Sequence, residues 1–135
     1  MADWTITPQL VRAPVGAPQL VKLAAQNIGP GNAVWEINAN YVELANATNI
    51  NAARVVGVTV SQAFTDQPIV YIASGTGAFG NTALGNGHVL VLSNVAGKFC
   101  NHADLATNHY VTKVGWANNT STVTWGIEVT GLQRP

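Results

Sequence analysis

Charge is what this chain has least of. Six Lys and Arg and six Asp and Glu make up 9% of 135 residues and cancel to a formal net charge of zero. An ordinary globular chain carries about 25%. No basic stripe is available to neutralise a phosphate backbone, so nucleic acid is not an expected partner. Nor is a membrane: there is no polybasic amphipathic segment, and no apolar stretch approaches the roughly 20 residues that cross a bilayer. The first residues, Met1 to Pro8, lack the charged and then apolar pattern of a signal peptide, so synthesis in a cytoplasm is expected. A single cysteine, Cys100, excludes an intrachain disulfide. Its simplest role is that of a small buried apolar residue. A sustained 3.6-residue apolar period is missing from residues 20–135, which argues against a helical domain. Internal repeats, low-complexity tracts and a second domain are missing too.

What is present is a cadence of short β-type runs. Apolar residues are 47% of the chain, enough for one core. The runs are separated by turns rich in Gly and Asn, the pattern of an all-β sandwich or barrel. Residues 1–18 read as an extended N-terminal arm punctuated by Pro8, Pro14 and Pro18, and residues 19–135 as the compact β-domain. Leu20 to Ala25 is a first strand or a short helical turn. Ala33 to Ile37 and Tyr41 to Leu44 form a hairpin about Asn38-Ala39-Asn40. Ala45 to Ala53 is a loop or a single helical turn, because its asparagines oppose a longer helix. Strands follow at Arg54 to Val60 and Ile69 to Ala73, with Gly57 marking a bulge or a close backbone approach. Ser74 to Gly87 is expected to supply sharp turns and one short strand around Ala78 and Phe79. His88 to Leu92 is a strand, Lys98 to Cys100 returns, and Asn101 to Asn108 is a loop. Tyr110 to Ala117 and Thr122 to Thr130 close a last hairpin.

Five constellations bear on chemistry. Gly75-Thr76-Gly77-Ala78-Phe79-Gly80 matches Gly-x-Gly-x-x-Gly after a strand. A dinucleotide site also requires the glycines to open a helix and an acidic residue about 20 positions on; both are missing, so a Gly-rich turn is the simpler assignment. Cys100, His102, Asp104 and His109 lie close in sequence and include zinc-ligand types, but structural zinc sites use paired Cys or His. The simpler roles are a turn cap for Asp104 and surface positions for the imidazoles. No nucleophile-elbow pattern accompanies the histidines, and Glu36 and Glu43, facing each other across the first hairpin, are expected to be an exposed pair. No catalytic residue, metal or cofactor is therefore expected. Trp35, Trp116, Trp125, Tyr41, Tyr71 and Tyr110 either line a sugar-binding platform or fill the core and a subunit contact, the commoner use of large aromatics.

The order of these segments resembles the small capsid cement (decoration) proteins of tailed bacteriophages. The resemblance lies in Gly31-Asn32-Ala33-Val34-Trp35, Ala52-Ala53-Arg54-Val55-Val56-Gly57-Val58-Thr59 and Asp66-Gln67-Pro68-Ile69-Val70-Tyr71, with Asp66 where the family usually has glycine. It continues through Gly87-His88-Val89-Leu90-Val91-Leu92-Ser93, Ala103-Asp104-Leu105 and Tyr110-Val111-Thr112-Lys113-Val114-Gly115-Trp116-Ala117. It implies a small β-barrel or β-sandwich and a non-enzymatic virion protein on the outer capsid surface. The major capsid protein is its expected partner and a homo-oligomer, a trimer above all, its expected state. The arm has no counterpart in the family's core pattern. Its apolar residues Trp4, Ile6, Leu10 and Val11 are expected to be capsid or subunit contacts, since exposed apolar groups on an arm need a partner. The alternative is a carbohydrate- or receptor-binding β-module of a virion, at a head fibre or tail tip. The positions of the Trp and Tyr rings distinguish the two.

Overall fold

A computed structural model describes residues 6–78, 89–118 and 122–135. The protein is all-β, as expected, and its strands divide into two sheets at Ala73. The first half makes a closed barrel from β1 (Leu20–Ala24), β2 (Ala33–Glu36), β3 (Tyr41–Leu44), β4 (Val55–Thr59) and β5 (Pro68–Ile72), in the order β1-β3-β2-β4-β5. All its pairings are antiparallel except β1 with β3, which run parallel, and β5 closes back onto β1. The second half is a five-stranded sheet of β6 (Ser74–Ala78), β7 (Val89–Leu92), β8 (Phe99–Asn101), β9 (Tyr110–Ala117) and β10 (Thr122–Gln133), in the order β6-β10-β9-β7-β8.

The strands alternate, and the alternation makes two cores. Val34, Val42, Ile69 and Tyr71 point into the barrel and pack with Ala24, Ile28 and Ala63. Their neighbours Ala33, Val58 and Ile72 point outward, are fully buried, and meet Leu90, Val114, Val123 and Trp125 of the second sheet. Ala33 stands opposite Val58, and Val58 opposite Ile72, so the three form one row across the barrel wall. Phe99 and Trp125 pack ring on ring in this shared core, with centroids 5.4 Å apart. Cys100 is fully buried there as well.

Gly57 combines both of its expected roles. Val34 pairs with Gly57 and Trp35 with Val55, so Val56 is an extra residue and β4 bulges. A Cβ on Gly57 would lie 2.4 Å from Tyr71 Cδ2, so the missing side chain lets the tyrosine ring fill the barrel. Thr59 secures the adjoining turn. It accepts from the Asn32 backbone N–H at 3.0 Å and donates to the Gly29 carbonyl at 2.8 Å.

Two expectations change. Ser74 to Ala78 is a strand and not a set of sharp turns; it pairs with β10 from Ala78 opposite Thr122 to Ser74 opposite Gly126. Its glycines serve tertiary packing, because Pro14 lies across them: a Cβ on Gly75 would come within 2.9 Å of Pro14 Cβ, and one on Gly77 within 3.1 Å of its Cγ. The second change is a short 3₁₀ turn, His102–Asp104, inside the segment expected to be loop. Phe79 to His88, including the rest of the Gly-rich motif, lie outside the described residues, as do 119–121 in the last hairpin connection.

Candidate functional surface

The N-terminal segment lies against its own domain. Pro8–Leu10 form one 3₁₀ turn, a use of proline at a helix start that its fixed φ favours. Val11 follows and is 6% exposed within the shared core. Ile6 packs on the same core and fills the space left by Gly31. The Arg12 backbone N–H donates to the Ala78 carbonyl at 3.2 Å, tying the segment to β6, the edge strand of the second sheet. Between and beyond these anchors the segment presents apolar groups to solvent: Leu10 is 52% exposed and Val15 fully so. Of the four expected contact residues, then, Ile6 and Val11 are turned inward, Leu10 is turned outward, and Trp4 lies outside the described residues.

The aromatic rings do not share a platform. Tyr71 and Trp125 are buried, one inside the barrel and the other in the shared core. Trp35 is half-buried against that core and donates its indole N–H to Glu43 Oε1 at 3.2 Å. Tyr41 is half-buried at the barrel end and donates its hydroxyl to Asp66 Oδ1 at 2.9 Å. That hydrogen bond, and next the carboxylate charge, hold the Tyr41 pKa above its ordinary value. Burial, and next the charge of Glu36, raise that of Tyr71. Among the described tryptophans Trp116 alone is broadly exposed, at 48%.

Glu36 and Glu43 do not face each other. The hairpin register sets Trp35 opposite Glu43 and Glu36 opposite Val42. Adjacent strand residues point to opposite faces, so the two carboxylates diverge. Glu36 instead lies 3.6 Å from Lys22 Nζ, the one ion pair among the described residues. Cys100 is in the core while Asp104 is exposed. The His102 side chain lies outside the described residues. Among the described residues no three His, Cys, Asp or Glu side chains gather as a metal site.

Three of the depressions on the described surface bear on function. One of about 510 Å³ opens at the barrel end beside Lys22, Asn40, Tyr41 and Pro68. Two of its polar groups are already engaged: Lys22 Nζ donates to the Ala39 carbonyl at 2.5 Å and pairs with Glu36, and Tyr41 is bound to Asp66. A second, of about 450 Å³, lies beside Trp35 and Arg54. The third, of about 210 Å³, lies on the second sheet between Trp116, Lys113, Gly126 and Glu128. Periodicity alone does not reveal this last site, because it depends on the register of β9 with β10. The local signal is a glycine, Gly126, inside an otherwise β-forming run. No protein-family model matches the chain, and no curated protein matches it.

Proposed function

We propose that this chain is a non-enzymatic capsid cement protein of a tailed bacteriophage, bound to the outer surface of the assembled shell. The observation that carries this reading is the N-terminal segment. Ile6 and Val11 clip it to the domain, and Leu10 and Val15 stand exposed on it. Apolar groups on a held segment bind with little ordering cost, since the backbone is already fixed. The rest of the molecule is suited to lying on a shell. Two sheets share one core, and a chain with only 9% charged residues places little electrostatic barrier against close packing. Cementing is mass action. A protein that binds the expanded lattice and not its precursor stabilises the expanded state by about 2.7 kcal/mol per site at 100 times Kd.

Light scattering of the protein alone, and sedimentation with expanded and with precursor capsids of the encoding phage, test the proposal. Saturable occupancy of expanded capsids, lost in Leu10→Ser with Val15→Ser, is the expected result. A protein that leaves both capsids bare overturns it.

A further inference from the structure

We propose that the pocket at Trp116 is a binding site for a single pyranose ring. The proposal stands apart from the capsid reading and uses a different face of the molecule. Trp116, on β9, is opposite Val89 of β7 and Thr124 of β10 and exposes about half its surface. Beside it β10 is irregular: Trp125 pairs with Gly115 and Glu128 with Lys113, so one extra residue is taken up at Gly126 and Ile127. Gly126 is exposed, and nothing lies within 4 Å of where its Cβ would be. Its φ lies outside the left-handed range that favours glycine. Neither strain nor close packing therefore explains a glycine here. What its bare backbone does is leave open the space beside the indole.

The polar groups at this opening are unused. Lys113 and Glu128 are cross-strand partners, both exposed, and both line the pocket. Among the described residues their side chains form neither an ion pair nor a hydrogen bond. The pocket thus offers an aromatic face, a donor ammonium and an acceptor carboxylate within about 210 Å³. That is about seven times the share of one liquid water, and below the roughly 300–1,000 Å³ of sites for drug-sized ligands. A pyranose matches each element. Its axial C–H groups lie against the electron-rich indole face. Adjacent hydroxyls donate to Glu128 and accept from Lys113. A neutral ligand also suits two charges of opposite sign, which together give no preference for an anion or a cation.

The test is a titration of the folded protein with methyl glycosides of glucose, galactose, mannose and N-acetylglucosamine, followed by the Trp116 indole N–H resonance and assigned with Trp116→Phe. The expected result is a saturable shift with a millimolar Kd for at least one sugar. Gly126→Val, whose Cβ enters open space, abolishes the shift, and Glu128→Gln weakens binding about tenfold, the loss of one charge-assisted hydrogen bond. No shift with any of the four sugars at tens of millimolar overturns the proposal, and so does a shift that survives Gly126→Val unchanged. A fall in solution mass on Trp116→Ala also overturns it, because the indole is then a contact between subunits. Capsid occupancy is read separately, so failure here leaves that reading untouched.

Discussion

Replacing Gly57 with alanine adds one methyl group to the barrel interior. The new Cβ would lie 2.4 Å from Tyr71 Cδ2 and 2.8 Å from the Ile72 carbonyl oxygen. Carbon atoms in good contact stand about 3.5–4.0 Å apart, so the ring must retreat by more than about 1 Å. It has nowhere to go, because Tyr71 is 1% exposed and surrounded by Val34, Val42 and Ile69. The carbonyl cannot rotate away either, since Ile72 is paired with Val58 on the bulged strand itself. Overpacking of a core costs about 1–3 kcal/mol, and a clash with backbone places this one at the upper end. Against a total stability of about 5–15 kcal/mol, a loss of about 3 is large. At about 4 °C per kcal/mol for a domain of this size, the midpoint falls by about 12 °C. Urea and thermal unfolding of Gly57→Ala read this directly. Gly126→Ala is the comparison, with open space at its Cβ and an expected change within about 0.5 kcal/mol. If Gly57→Ala is as stable as Gly126→Ala, the reasoning about the barrel interior is wrong.

Val11→Ala removes two buried carbon groups and is expected to cost about 2 kcal/mol, counting transfer and residual cavity, in the same unfolding experiment. Leu10→Ser should leave the melting curve unchanged while weakening capsid occupancy. Thr112 is fully buried and donates its hydroxyl to the Ala53 carbonyl at 2.6 Å; that carbonyl also accepts from the Val55 backbone N–H at 3.0 Å, so Thr112→Val keeps the shape, removes one of its two hydrogen bonds, and should cost about 1 kcal/mol. Tyr71 has a raised pKa because its barrel site disfavours the phenolate, first by burial and then through Glu36. The native state therefore prefers the neutral phenol. Its stabilising effect is complete below the unfolded value of about pH 10 and is lost as pH rises through the native value. Urea midpoints measured into that range should fall more steeply for the native sequence than for Tyr71→Phe.

Most strands are legible in the sequence because they are short apolar runs rich in β-branched residues. Val55 to Thr59 and Val89 to Leu92 are of this kind. Ser74 to Ala78 is not, since two glycines in five residues carry no strand propensity; Pro14, far earlier in the chain, supplies the reason for them. The split into barrel and sheet is hidden for a similar cause. Parallel pairing of β1 with β3 depends on chain closure and leaves no mark in either strand. The expected pairing of Glu36 with Glu43 fails on a one-residue question of register, which turns every side chain to the other face. At the surface, the apolar character of Ile6, Leu10 and Val11 is plain, but which of them faces inward is not. The Trp116 pocket is out of reach altogether, as it is made by an irregularity between two strands.

The division of the chain at Ala73 sets an order of events during synthesis. All five barrel strands leave the ribosome before any strand of the second sheet. The barrel can close around Tyr71 at that stage, but the row Ala33, Val58 and Ile72 on its outer wall stays wet. The residues that cover it include Val123 and Trp125, on the last strand to emerge. The nascent chain thus carries a sticky apolar stripe until translation is nearly complete, a state in which crowded neighbours aggregate. Slowing the ribosome after Ala73 would lengthen that exposure, so codon choice in the second half of the gene bears on how much soluble protein a cell yields.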